Sequence, residues 1–277
     1  MSELLNQYLV VQPEDLINSP SAIYHEHSKS SEFRVRFADR DPRRTESMLQ
    51  LYHRLNEHTR SFDHLRRTPL VPANWGAISA PLGNVLQNRR TTREFSGASI
   101  SIDKLSQLLT VSTGVTGQVE YQPGHTRNLR AYPSGGALYP LDIYAAVFDV
   151  QTLPAGVYFF DPDRTSLSQL KHGDSRDEFY AAFIDEPMIR TAAVALIFVA
   201  VFKRSKIKYE ERAYRFVLLE AGHAAQNCVL VGQALDLQVV PTGAFFDRQL
   251  ERLLELDGVE ESVVHAVIVG QKRVDRV

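Results

Sequence analysis

The stretch "RSKIKYEERAYRF" carries Lys206, Lys208, Tyr209, Tyr214 and Arg215 within ten residues. A lysine beside a tyrosine can move protons when charge or hydrogen bonding shifts their pKa values toward neutrality, although surface lysines next to tyrosines are also common. Arg89, Arg90 and Arg93 stand with Thr91 and Thr92 in "QNRRTTREF". Clustered guanidiniums and hydroxyls make a phosphate clamp, because arginine gives bidentate charge-assisted hydrogen bonds. A solvated basic turn is the plainer alternative. "PSGGALYP" supplies bare backbone that could lie against a flat aromatic ligand. A tight turn demanded by strand geometry accounts for it equally well. It has neither the lysine and threonine of a P-loop nor the G-x-G-x-x-G spacing of a dinucleotide fold. "VVPTGAFFD" is a second such loop.

Other polar groups carry less. Glu220, His223 and Asn227 share one helical face, which reads as a satisfied, partly buried polar face before it reads as a metal site. "YHEH" sets His25 and His27 around Glu26, a weak metal motif. H-E-x-x-H, C-x-x-C and the G-x-S-x-G elbow are absent, so no metal is expected and hydrolase readings have no foothold.

The elements that must position these residues follow from periodicity. Met48, Leu51, Tyr52 and Leu55 recur at helical spacing, and "TPLVPANWGAISAPLG" reads as an extended crossing loop. A helix runs from an N-cap at Ser101 to a stop at Gly114, and Gly117 to Arg130 is expected as loop. "LDIYAAVF" and "GVYFFD" read as strands, and "AAVALIFVAVF" as a central strand buried on both faces. A long helix is expected from Tyr214 to Leu235, with Val217, Ala221, Ala225, Cys228 and Leu235 on one face. "FDRQLERLLELDG" is a short amphipathic helix and "SVVHAVIVG" a final buried strand. Helices and strands without strict alternation predict an α+β fold.

The chain has 277 residues, 44% of them hydrophobic and 23% charged, which suits a soluble globular protein. A net charge of −2 argues against general binding to nucleic acid or a membrane surface. The single cysteine, Cys228, suits a reducing cytosol, and no signal peptide is visible at the start. A cytoplasmic location is expected.

Taken in order, "RRTTREF", "YPSGGALYP", "KY…YRFVLLEAGHAAQN" and "PTGAFFD" resemble the flavin-dependent nitroreductase superfamily. The branch most similar is the SagB-type dehydrogenases, the azoline oxidases of thiazole- and oxazole-forming pathways, which "YHEHSK" also resembles. The resemblance implies a nitroreductase-like fold with a central mixed sheet flanked by helices. It implies an N-terminal extension over residues 1–80, an FMN-binding domain over 81–277, and a domain-sharing homodimer. By the same resemblance Arg89, Arg90, Thr91 and Arg93 would contact the FMN phosphate and ribityl chain, threonine standing where serine is more usual. Pro133, Ser134 and Gly135 would pack along the ring. Gly243 and Ala244 would offer amides near flavin N5, where a hydride arrives, and Lys272 or Arg273 would serve the phosphate.

Lys208 and Tyr209 match an adjacent Lys–Tyr of the azoline oxidases. The implied reaction removes a proton from the α-carbon of a thiazoline or oxazoline and a hydride from the neighbouring ring carbon. Tyr209 would be the base, with Lys208 lowering its pKa or exchanging protons with it. The resemblance further implies an azoline-containing peptide substrate and a cyclodehydratase complex. Two rivals stay open: an NAD(P)H-dependent nitro- or quinone reductase, and a structural subunit supporting a cyclodehydratase.

Overall fold

A computed structural model describes residues 19–29 and 62–273. The helix expected around Met48 to Leu55 lies outside the described residues. The elements run α1 (Pro20–His27), β1 (Arg67–Pro69), α2 (Leu82–Asn88), α3 (Ile102–Thr113), β2 (Val115–Gln122), β3 (His125–Arg130) and β4 (Leu141–Val147). There follow β5 (Gly156–Asp161), β6 (Ser166–His172), α4 (Arg176–Ala182), α5 (Met188–Thr191), β7 (Val194–Val201) and α6 (Phe202–Tyr209). The chain continues with α7 (Ala213–Ala234), β8 (Leu237–Thr242), α8 (Asp247–Leu254) and β9 (Glu261–Gln271).

Seven strands form one sheet in the order β1-β6-β5-β4-β7-β9-β8. All eight residues of β7 are buried, as the unbroken apolar run requires. Its side chains alternate between two cores. Leu196 and Phe198 join Leu105, Leu108, Val217 and Ala221 of α3 and α7 on one face. Ala195, Ile197 and Val199 join Phe179, Ile189, Leu250 and Leu254 of α4, α5 and α8 on the other. This is the α+β architecture expected, with two corrections. Every ladder between the named strands is antiparallel, so the sheet is not mixed. Residues 117–130, expected as loop, form most of a β2–β3 hairpin in a second, two-stranded sheet. Gly117 and the turn residues Pro123 and Gly124 hid the alternation of Val115, Val119 and Tyr121. The strand Arg67–Pro69, within the segment expected as an N-terminal extension, pairs with Ser166–Ser168 at the edge of the main sheet.

Helix α3 begins where expected: the Ser101 hydroxyl accepts the Lys104 N–H at 3.2 Å, and Gly114 is its C-cap. It packs against α7, where the Cys228 thiol lies 3.3 Å from the Ser112 hydroxyl. Burial pushes that thiol up to about 12, which makes it an unreactive core group. Among the described residues no helix is long and apolar enough to cross a membrane.

Gly232 sets the distance between α7 and β8. A Cβ there would lie 2.1 Å from Val239 Cγ2 and 3.2 Å from Val239 Cβ. Valine is stiff at χ1 and cannot swing aside. Gly232→Ala is therefore expected to destabilise by about 1–3 kcal/mol. A lower urea midpoint with unchanged slope would show it. An unaltered midpoint would mean the helix does not approach the strand so closely.

Candidate functional site

The proline–glycine loop at residues 131–140 leads into β4, and buried polar groups hold it in shape. Ser134 Oγ accepts the Tyr139 N–H at 2.9 Å, and Tyr139 Oη accepts the Arg130 N–H at 3.0 Å. Arg130 donates to Tyr132 Oη at 3.1 Å and to the Leu141 carbonyl at 3.3 Å. Arg127, on the hairpin, donates to the carbonyls of Ala137 and Leu138. From α6, Arg204 grips Asp142 at 2.6 and 3.0 Å and reaches the Tyr139 carbonyl at 3.4 Å. Both members of that ion pair are buried.

This loop touches the Lys–Tyr pair. Gly136 has φ +63°, a left-handed conformation suited to glycine. A Cβ there would lie 2.6 Å from Tyr209 Oη and 2.9 Å from Lys208 Nζ, so the bare backbone makes room for both groups. At Gly135 a Cβ would meet the rings of Phe216 and Tyr209 at 3.4 and 3.5 Å. Those rings stand edge to face, 4.9 Å between centroids, and Lys208 Nζ lies 5.4 Å from the Tyr209 ring. Tyr121 of the hairpin and Ile207 pack with Tyr209 around buried Leu138.

Burial raises the Tyr209 hydroxyl above its ordinary value. That runs against the expectation that Lys208 lowers it: partial burial of the phenol raises it, and Lys208 Nζ lies 5.4 Å from the ring centroid. Proton exchange between the two remains compatible with the contact. Tyr214 stacks instead on Phe202, and Arg215 binds α1 through Ser28 Oγ at 2.7 Å and the His25 carbonyl at 2.6 Å. His25 and His27 therefore belong to a docked, exposed helix. Among the described residues no cluster of three metal-binding side chains exists.

A second group gathers at the opposite end of the sheet. Phe95 bridges to Lys272, and Ser96 N–H donates to the Gln271 carbonyl at 3.0 Å. This carries the exposed cations Arg90 and Arg93, with half-buried Arg89, to Lys272 and Arg273. Arg89 donates to Thr91 Oγ1 at 3.2 Å, Arg273 to Glu94 at 2.7 Å, and Lys272 Nζ lies 3.5 Å from Asp236. Gln238 of β8 donates to the Arg90 carbonyl at 3.0 Å. Gly243 and Ala244 follow the far end of that strand. The Ala244 N–H donates to Thr242 Oγ1 at 3.1 Å, which leaves Gly243 as the amide of the two outside that bond.

The structure thus brings Pro133, Ser134 and Gly135 together with Lys208 and Tyr209, and Arg89, Arg90, Thr91 and Arg93 together with Lys272 and Arg273. It does not join the two groups. Register puts Leu141, Ala200 and Ser262 at the first end and Leu237 and Gln271 at the other. A cleft of about 260 Å³ lined by Phe62, His64, Leu170 and Lys171, among others, includes no residue of either group. Sequence reasoning missed Arg127, Arg130, Asp142 and Arg204. A charged residue one place into the apolar strand "LDIYAAVF" was the available signal for Asp142.

Comparison with known proteins agrees with this architecture. The family model "Nitroreductase family" matches residues 86–271. MJ1384 of Methanocaldococcus jannaschii, provisionally named a nitroreductase, is 34% identical over 191 residues, covering 69% of this chain and 91% of that protein. The microcin B17-processing protein McbC of Escherichia coli is 28% identical over 140 residues, 49% of this chain and 51% of McbC. The trifolitoxin-processing protein TfxB of Rhizobium leguminosarum is 29% identical over 175 residues, 61% of this chain and 47% of TfxB. The chain therefore spans about half the length of these two relatives. The E. coli microcin synthetase McbBCD complex with truncated pro-MccB17 bound contains a chain of the same fold, with TM-score 0.56, 21% identity and 98% coverage of both chains. With a family match over more than half of its length, the chain belongs to the nitroreductase family.

Proposed function

We propose that this chain is an FMN-dependent dehydrogenase that oxidises thiazoline or oxazoline rings on a peptide to thiazoles or oxazoles. The observation that carries the reading is the closeness of Gly136 to Tyr209 Oη and Lys208 Nζ, with Gly135 against the Tyr209 ring. A family reductase needs no such pair, whereas removing a ring proton does. The named roles of McbC and TfxB in microcin and trifolitoxin processing support a peptide substrate.

The residues fit FMN. Arg89, Arg90, Arg93, Lys272 and Arg273, with the Thr91 hydroxyl, make a donor set suited to a phosphate dianion, which would displace Glu94 from Arg273. Glycine backbone at 135–136 and 243 admits a flat ring closely. Held by these residues, FMN would supply a two-electron acceptor for the ring hydride, with O2 as the final oxidant. Tyr209, ionised at its phenol oxygen, takes the α-proton, and Lys208 beside it exchanges protons with the resulting hydroxyl. Leu138, Tyr121 and Ile207 pack with Tyr209 and cover part of its ring.

The two residue groups sit at opposite ends of a sheet whose six-residue edge strand spans about 20 Å. This supports a homodimer in which a second copy completes the site. Residues 81–277 would form the flavin domain and 1–80 an extension, working in the cytoplasm beside a cyclodehydratase that installs the ring.

The test is flavin absorbance of the purified protein under anaerobic conditions. Bleaching by an azoline peptide alone is the expected result. Bleaching by NADPH alone would make it a reductase. No flavin band after FMN is supplied would leave a structural subunit.

A further inference from the structure

Glu220 lies on α7, 2% exposed, and neither carboxyl oxygen makes a hydrogen bond. The polar groups that act on it are Arg130 just before the loop, Tyr132 and Ser134 within it and Arg204 from α6. The two guanidiniums are committed elsewhere: Arg204 to both Asp142 oxygens, Arg130 to Tyr132 Oη and the Leu141 carbonyl. Ser134 Oγ already accepts the Tyr139 N–H, which leaves its own proton to give.

A carboxylate in such a place is costly unless paired, so the neutral acid is favoured. Burial pushes Glu220 up to about 8, with the Ser134 hydroxyl, Arg130 and Arg204 pulling it back. The Ser134 hydroxyl is near enough to act on the carboxyl, although neither oxygen completes a bond with it.

Resting on the reading of Lys208 and Tyr209 as the proton-transfer pair, the geometry points to Glu220 as a positioning residue for that pair. While its carboxyl is neutral and unbonded, Ser134 stays held by the Tyr139 N–H, and with it the Gly135–Gly136 backbone that abuts Tyr209 and Lys208. A negative charge on Glu220 draws the Ser134 proton to itself and disturbs the loop at the point where it meets the phenol.

The experiment is a pH series from 6 to 9 on the full chain labelled with 13Cζ-tyrosine, without added FMN or substrate. Y209F identifies the Tyr209 resonance among the eleven tyrosines. In the wild type that resonance is expected to move with an inflection near pH 8. In E220Q, which cannot ionise, the inflection disappears. In S134A, where the link is cut, it also disappears. An inflection unchanged in E220Q, or absent from the wild type, overturns the proposal. Should E220Q fail to fold, S134A decides: a retained inflection overturns it. Since no flavin or azoline enters this measurement, its failure is separate from failure of the bleaching test.

Discussion

Tyr209→Phe is expected to keep bound FMN and slow azole formation by about 10²-fold or more, the usual contribution of a positioned general base. The phenyl ring preserves the contacts with Phe216 and Gly135, so only the hydroxyl is lost. Lys208→Ala should act in the same direction and leave flavin content unaltered, because Lys208 belongs to the group remote from the arginine clamp. The pH dependence has a definite sign. Burial raises the phenol above 10, so the ionised base becomes more abundant as pH rises through the neutral range toward that value. Activity should climb with pH in the wild type, and this limb should vanish in Tyr209→Phe. Stopped-flow flavin reduction by a thiazoline peptide measures both effects. Reduction at wild-type rates in Tyr209→Phe would remove the tyrosine from the chemistry.

The second large effect falls on stability. Asp142 and Arg204 are an ion pair with side chains 6% and 5% exposed, joined by two hydrogen bonds. Asp142→Ala leaves the guanidinium buried without its counter-charge, which costs about 3–5 kcal/mol. The damage should spread to the loop, because Arg204 also reaches the Tyr139 carbonyl. Replacing both partners, Asp142→Leu with Arg204→Met, removes the buried charges together and should recover most of the loss. Urea denaturation of the single and double variants gives the comparison. A single-variant loss below about 1 kcal/mol would place the pair in the range of solvent-screened ion pairs and remove its role in holding the loop.

Much of the scaffold was legible in local pattern. The apolar run at 194–201, the capped helix at 102–113 and the small-residue helix at 213–234 each carry their own period and stop signals. Strand direction was not legible: a strand buried on both faces reads as the same apolar run whether its neighbours are parallel or antiparallel. The β2–β3 hairpin was missed because glycine, proline and polar residues in 117–130 read as turn while the alternation of Val115, Val119 and Tyr121 is short.

The chemistry divides along the same line. Residue type made Arg89 to Arg93, the glycine loops and Lys208–Tyr209 candidates beside plainer readings, and it was the resemblance carried by their order that gave them roles. Only the folded chain decided which of them meet. Gly136 and Tyr209 are far apart in sequence yet touch, while the arginine clamp stands at the other end of the sheet. Tertiary packing also set the protonation of the site. The same phenol and the same carboxyl would have ordinary values in water, and it is desolvation by neighbours distant in sequence that raises both Tyr209 and Glu220.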